Sequence, residues 1–110
     1  MYSGWGAKVD TDGFRNFDGE MQHYPGFHVE AAQMLMEETG ASSIAVDTLS
    51  LDPGNSQDFA THYSWLPSGR FGIENIANLD RLPASGATIF IGWAKTCSRA
   101  AIFTAGPNTS

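Results

Sequence analysis

A mixed α/β fold in a single domain is predicted by three observations on this sequence. The stretch from His28 to Thr39 repeats its apolar residues at helical spacing. The run from Ala87 to Trp93 is continuous, β-branched and aromatic. Twelve glycines and five prolines break much of the remainder into loops, which disfavours a helix bundle. A chain of 110 residues suits one hydrophobic core rather than two.

Taken in order, the first thirty residues read as loop, with turns at Asp12-Gly13, Asp18-Gly19 and Pro25-Gly26. In the helix that follows, Val29, Ala32, Leu35 and Met36 share one face and Glu30, Gln33 and Glu37 the other. Gly40 stands where a left-handed cap would end it. Ser43 to Val46 reads as a short buried strand, leading into the polar segment Asp47 to Asp52 and a turn at Pro53-Gly54. Ser56 to Trp65 is expected to form a shorter helix with Phe59, His62, Tyr63 and Leu66 as its apolar face. Phe71 to Ile73 is a short strand and Ile76 to Leu79 a single turn. Ala100 to Thr104 forms a last strand after that of Ala87 to Trp93. The expected architecture is thus α/β, or mixed α+β, with one main helix packed on a short sheet.

Charge and composition narrow the function. Six basic residues against twelve acidic ones give a formal net charge of −6. Lys8, Arg15, Arg70, Arg81, Lys95 and Arg99 are scattered singly, so no basic stripe exists to meet a phosphate backbone, and nucleic acid is excluded as a partner. No apolar run approaches a membrane span, and the first residues lack the basic start and apolar stretch of a secretion signal. A soluble, reducing, cytoplasmic setting is expected. Cys97 is the sole cysteine, so neither an intrachain disulfide nor a thiolate-rich zinc site can form within one copy.

The nucleophile elbow, the H-E-x-x-H helix and the phosphate-binding glycine loop are all missing. His23 and His28 read as ordinary polar side chains. His62 stands out, because it follows a run rich in Asp, Ser and Thr and precedes Glu74 by twelve residues. An imidazole and a carboxylate brought together supply two metal positions, one short of the three that a catalytic zinc usually takes from protein, so spacing alone favours an ordinary polar pair over a metal site. Asp47 and Asp52 either bond the backbone of their own loop or support a metal ligand from behind. Trp5 and Phe27 are candidates for a substrate pocket, with core or interface packing the favoured reading.

Several pieces, in this order, resemble the cyclase family of kynurenine formamidase-like, metal-dependent hydrolases. They are Gly4-Trp5-Gly6, Tyr24-Pro25-Gly26-Phe27, Glu30-Ala31-Ala32 with Leu35, and Val46-Asp47-Thr48-Leu49-Ser50-Leu51-Asp52. After them come His62, Ile73-Glu74-Asn75-Ile76, Leu79 and Leu82-Pro83, so the likeness runs from Tyr2 to Phe103. It implies hydrolysis of an amide, formamide or lactam-like bond assisted by zinc or manganese. It also implies an incomplete, swivelling-type β/α domain. The family takes its ligands from an H-x-G-T-H-x-D-x-P-x-H motif and from a later histidine and glutamate, which His62 and Glu74 match in type and order. The resemblance offers Arg99 as a counterpart of the arginine before the family's final strand, and as a pocket candidate with Trp5 and Phe27, although the Gly- and Pro-containing loop that precedes it in the family is altered here to Thr96-Cys97-Ser98.

The histidine-rich motif does not occur in this sequence. The expectation is therefore the second half of such a hydrolase, truncated and inactive as an isolated chain. The alternative is a non-catalytic, self-assembling or small-molecule-binding module on the same half-fold. Half a sheet leaves an unpaired edge and an apolar face. Trp5, Trp65, Trp93 and Phe90 are expected to need a cover, supplied by a homo-oligomer or by a separate chain carrying the missing half.

Overall fold

The computed structural model describes residues 1–93 and 100–105. The elements are α1 (Val29–Glu38), β1 (Ser43–Ala45), α2 (Ala60–Trp65), β2 (Phe71–Ile73), β3 (Thr88–Trp93) and β4 (Ala100–Ala105). The fold is mixed α/β, as the sequence predicts. Its backbone gathers into two compact units, Met1–Ala77 and Asn78–Ser110. No described helix is long and apolar enough to cross a membrane.

In the first unit, β1 and β2 pair in parallel, with Ile44 opposite Gly72. Parallel neighbours need a long crossover. Here residues 46–70 make it, carrying the polar loop and α2. The core is Ala32, Ile44, Val46, Leu51 and Trp65, all buried, with Phe27, Leu35, Met36 and Ala41 packed against it. Helix α1 thus presents the face that its periodicity predicts. His28 caps it, its Nδ1 accepting from the Glu30 N–H at 3.3 Å. Its end differs from expectation. Gly40 does not adopt a left-handed conformation; Thr39 turns to extended backbone instead, and both its N–H and its hydroxyl donate to the Leu35 carbonyl. The threonine satisfies the carbonyl that a glycine cap would have served.

Helix α2 is shorter than expected and buries the opposite face. Thr61 and Trp65 point inward, while Phe59, Tyr63 and Leu66 are exposed. Hydrogen bonding decides this. The Thr61 hydroxyl donates to the Phe27 carbonyl at 2.7 Å, and the Trp65 indole N–H to the Phe71 carbonyl at 2.8 Å. Both polar atoms are therefore satisfied inside the core. Trp65, expected to need an external cover, is wholly buried within its own unit. Ile76 is buried, and the helical turn expected at Ile76 to Leu79 lies at Leu79–Arg81.

In the second unit, β3 and β4 pair antiparallel, with Phe90 opposite Phe103. Ile89, Phe90 and Ile91 are exposed. Arg99 and Cys97 lie outside the described residues.

Candidate functional site

The site grows from the crossover loop, and Leu51 anchors it. Leu51 is buried; its carbonyl accepts from the Phe27 N–H at 2.7 Å, and its N–H donates to Glu74 Oε1 at 3.0 Å. Two glycines let the backbones come this close. A Cβ on Gly72 would stand 2.3 Å from a Leu51 methyl, and one on Gly26 would stand 2.2 Å from the Asp52 carbonyl carbon. Thr48, also buried, donates its hydroxyl to the Pro25 carbonyl at 2.9 Å. The loop is thereby clamped to residues 25–27 on one side and to the chain around Glu74 on the other.

Asp52 follows the anchor and is buried beneath α2. Its Oδ1 accepts from the Thr61 N–H at 2.8 Å, and its Oδ2 from the His62 N–H at 3.1 Å. These are free amides of the first helical turn, which a carboxylate stabilises. Phe59, just before the helix, sits at φ 49°, a left-handed conformation that turns the chain into α2. His62 then meets Asp52 Oδ2 through Nδ1 at 2.5 Å and Glu74 Oε1 through Nε2 at 3.2 Å. The imidazole is held between a buried carboxylate and a half-buried one.

Burial works to raise the Asp52 carboxyl. The His62 ring and the Thr61 and His62 N–H groups outweigh it and hold the group below its ordinary value. Asp52 is therefore ionised at neutral pH and commits the Nδ1 proton, which leaves Nε2 to face Glu74.

Tyr24 borders this cluster; the sequence marks it as part of the Tyr24-Pro25-Gly26-Phe27 likeness but gives it no role at the site. Burial pushes its phenol up, the Glu74 charge adds to that, the Ser50 hydroxyl works against it, and Asp52 adds a smaller push upward. A Cβ on Gly54 would stand 2.8 Å from the Tyr24 Cδ1. Proximity to Glu74 across fifty positions of sequence is a tertiary fact, so no local pattern could have found Tyr24.

The remaining candidates fall elsewhere. Asp47 is buried and accepts from the Ser3 hydroxyl at 2.6 Å and from the Ser3 N–H at 3.1 Å; it bonds neither His62 nor Glu74. Trp5 donates its indole N–H to the Phe14 carbonyl at 2.8 Å, under the Lys8 ammonium at 3.7 Å from its ring. Phe27 packs against the core. His23 pairs with exposed Asp18 at 2.6 Å, and His28 caps α1.

Chemically, the donor set fits two adjacent positions around a metal. Ligand atoms about 2.1 Å from a tetrahedral zinc stand roughly 3.4 Å apart, close to what His62 Nε2 and Glu74 Oε1 already show. Asp52 behind the imidazole is the partner such a histidine uses to fix its tautomer. No group of three His, Cys, Asp or Glu side chains suited to a metal occurs among the described residues.

Comparison with known proteins agrees with the family likeness read from the residues. A family model described as putative cyclase matches residues 1–53, a span that includes Asp52 and stops before His62 and Glu74. Isatin hydrolase A from Ralstonia solanacearum is similar in structure at 28% identity and a TM-score of 0.68, over 77% of this chain and 34% of that one. Isatin hydrolase A from Labrenzia aggregata, bound to benzyl benzoate, is similar at 26% identity and a TM-score of 0.64, over 79% of this chain and 44% of that one. The chain thus spans less than half the length of either structure. No curated protein matches it.

Proposed function

We propose, for a chain that resembles the cyclase family and shares the isatin hydrolase fold, that it forms part of a metal-dependent amide hydrolase site. In this reading His62 and Glu74 hold a zinc or manganese ion. The observation that carries it is the single imidazole aimed by Asp52 through Nδ1, with its Nε2 3.2 Å from Glu74 Oε1. A bound ion would supply polarisation of a carbonyl and acidification of water.

The residues prepare the site around that ion. Asp52 keeps the Nδ1 proton in place, so Nε2 offers its lone pair. The Leu51 N–H orients one oxygen of Glu74. The Tyr24 phenol, held neutral by its surroundings, gives the rim a proton donor beside two carboxylates. The substrate class supported by the likeness is an aryl amide or lactam such as isatin. Two protein donors hold an ion weakly, so the isolated chain is expected to turn over isatin feebly or not at all.

Calorimetric titration of the full chain with zinc and with manganese tests the reading. Binding is expected in the wild type and is expected to vanish in His62→Ala and Glu74→Gln. The glutamine retains an acceptor for the Leu51 N–H, so its loss of binding would not reflect unfolding. A wild type that takes up neither ion, or variants that bind equally well, would overturn it. The second reading, a non-catalytic assembling or small-molecule-binding module, draws on the lack of a third donor among the described residues. Ion binding without any isatin turnover, even at saturating metal, would favour it.

A further inference from the structure

We propose that Phe59 selects the substrate of this site, its phenyl ring packing against the aromatic ring of a planar aryl lactam or amide. This rests on the metal reading above, which puts the reacting carbonyl beside His62, and it adds the residue that tells an aryl substrate from an aliphatic one.

Backbone conformation is the first argument. Phe59 sits at φ 49° and ψ 41°, in the left-handed region. Among the described residues the other non-glycine positions at positive φ, Asn16, Asn75 and Asn78, are all asparagines, whose short polar side chain tolerates it. A bulky aromatic is the wrong residue for that conformation unless something else rewards its ring.

The turn itself does not ask for a phenyl group. The Phe59 N–H donates to Ser56 Oγ at 3.2 Å, and its carbonyl accepts from the Tyr63 N–H at 3.0 Å. The next amide, that of Ala60, donates to Asp58 Oδ1 at 3.2 Å. From Phe59 these bonds take only backbone groups, so glycine or asparagine would make the same turn with less strain.

Core packing does not supply the reward either. Phe59 is 50% exposed and lies outside the buried cluster of Ala32, Ile44, Val46, Leu51 and Trp65. Its ring stands edge-on to His62, with centroids 5.9 Å apart and planes at 82°. An open apolar surface therefore borders the imidazole that is the candidate metal donor. The charge distribution of a phenyl ring favours a second aromatic ring, edge-on or offset, beyond what apolar area alone provides. The ligand that completes this contact is thus an aryl one.

Calorimetric titration of the full chain with oxindole and with its fully hydrogenated form, in the presence of zinc, decides the matter. Thermal unfolding and zinc titration are run on the same proteins. The wild type is expected to favour oxindole about two- to tenfold. Phe59→Tyr should keep that preference and Phe59→Leu should abolish it. Phe59→Asn should weaken oxindole about tenfold yet unfold at a temperature no lower than the wild type, because it relieves the left-handed strain. Zinc affinity should be the same in all four proteins. A ring that only supported the fold would not separate ligand affinity from stability in this way. Equal affinity of the wild type for the two lactams, or oxindole binding unchanged in Phe59→Asn, would overturn the role of Phe59 and leave the ion site standing. A Phe59→Asn chain that unfolds at a lower temperature would show that packing rewards the ring, and would also overturn it. A wild type that takes up no zinc would overturn the metal reading and this one with it.

Discussion

Asp52 touches His62 twice, accepting from its backbone N–H at 3.1 Å and meeting its ring Nδ1 at 2.5 Å with the same carboxylate oxygen. One buried carboxylate thereby starts α2 and aims the imidazole that α2 carries. The fold and the candidate metal ligand share a single charged group.

Asp52→Asn should separate those two roles. An amide oxygen can still accept from the Thr61 or His62 N–H, so the fold should survive with a modest loss of thermal stability. The imidazole loses its charged partner, and zinc affinity should fall about 10- to 100-fold. Thermal unfolding and zinc calorimetry on the same sample check both halves; unchanged affinity would show that Asp52 serves only the helix.

Gly26→Ala should disturb the site from a distance. The new Cβ would stand 2.2 Å from the Asp52 carbonyl carbon and 2.5 Å from its oxygen, and neither is a flexible side-chain end. The loop has to move, at a cost of about 1–3 kcal/mol. Denaturant unfolding should show that loss, together with weaker zinc binding. An alanine variant as stable as the wild type would mean that the clamp is looser than the geometry indicates.

Acid should unfold the first unit through Asp47 and Asp52. Burial opposes ionisation of Asp47, but the Ser3 hydroxyl and N–H hold its carboxyl below the ordinary 3.8, as the His62 and α2 contacts do for Asp52. A carboxyl whose folded value is depressed contributes stability that is fully present above the unfolded value and is lost as pH falls through the folded one. Stability followed by circular dichroism should therefore decline below about pH 4. Asp47→Asn should flatten part of that decline; a curve unaltered in the variant would remove Asp47 from the account.

Tyr24 should titrate late. Burial and the Glu74 charge raise its phenol above the ordinary 10.0, so its contribution to stability is intact below that value and is lost as pH rises through the raised one. Alkaline absorbance titration should show a tyrosinate appearing above pH 10 that is missing in Tyr24→Phe. If the variant removes an ordinary step instead, Tyr24 does not face the carboxylates.

Much of this protein is local and could be read from residues in order. The apolar spacing of Val29, Ala32, Leu35 and Met36 determined α1 and its buried face, because helix periodicity is written in a dozen consecutive positions. The β-branched run determined β3 in the same way. Type and spacing drew notice to His62 and Glu74, but only the family resemblance made them metal candidates. Tertiary structure decided the rest. It turned α2 so that Thr61 and Trp65 went inward, since their polar atoms found the Phe27 and Phe71 carbonyls there. It separated Asp47 from Asp52, two carboxylates equivalent in sequence, by giving one to Ser3 and the other to His62. It also brought Tyr24 to Glu74. Each of these outcomes depends on which distant backbone group needs a partner, and a single chain read in order does not carry that information.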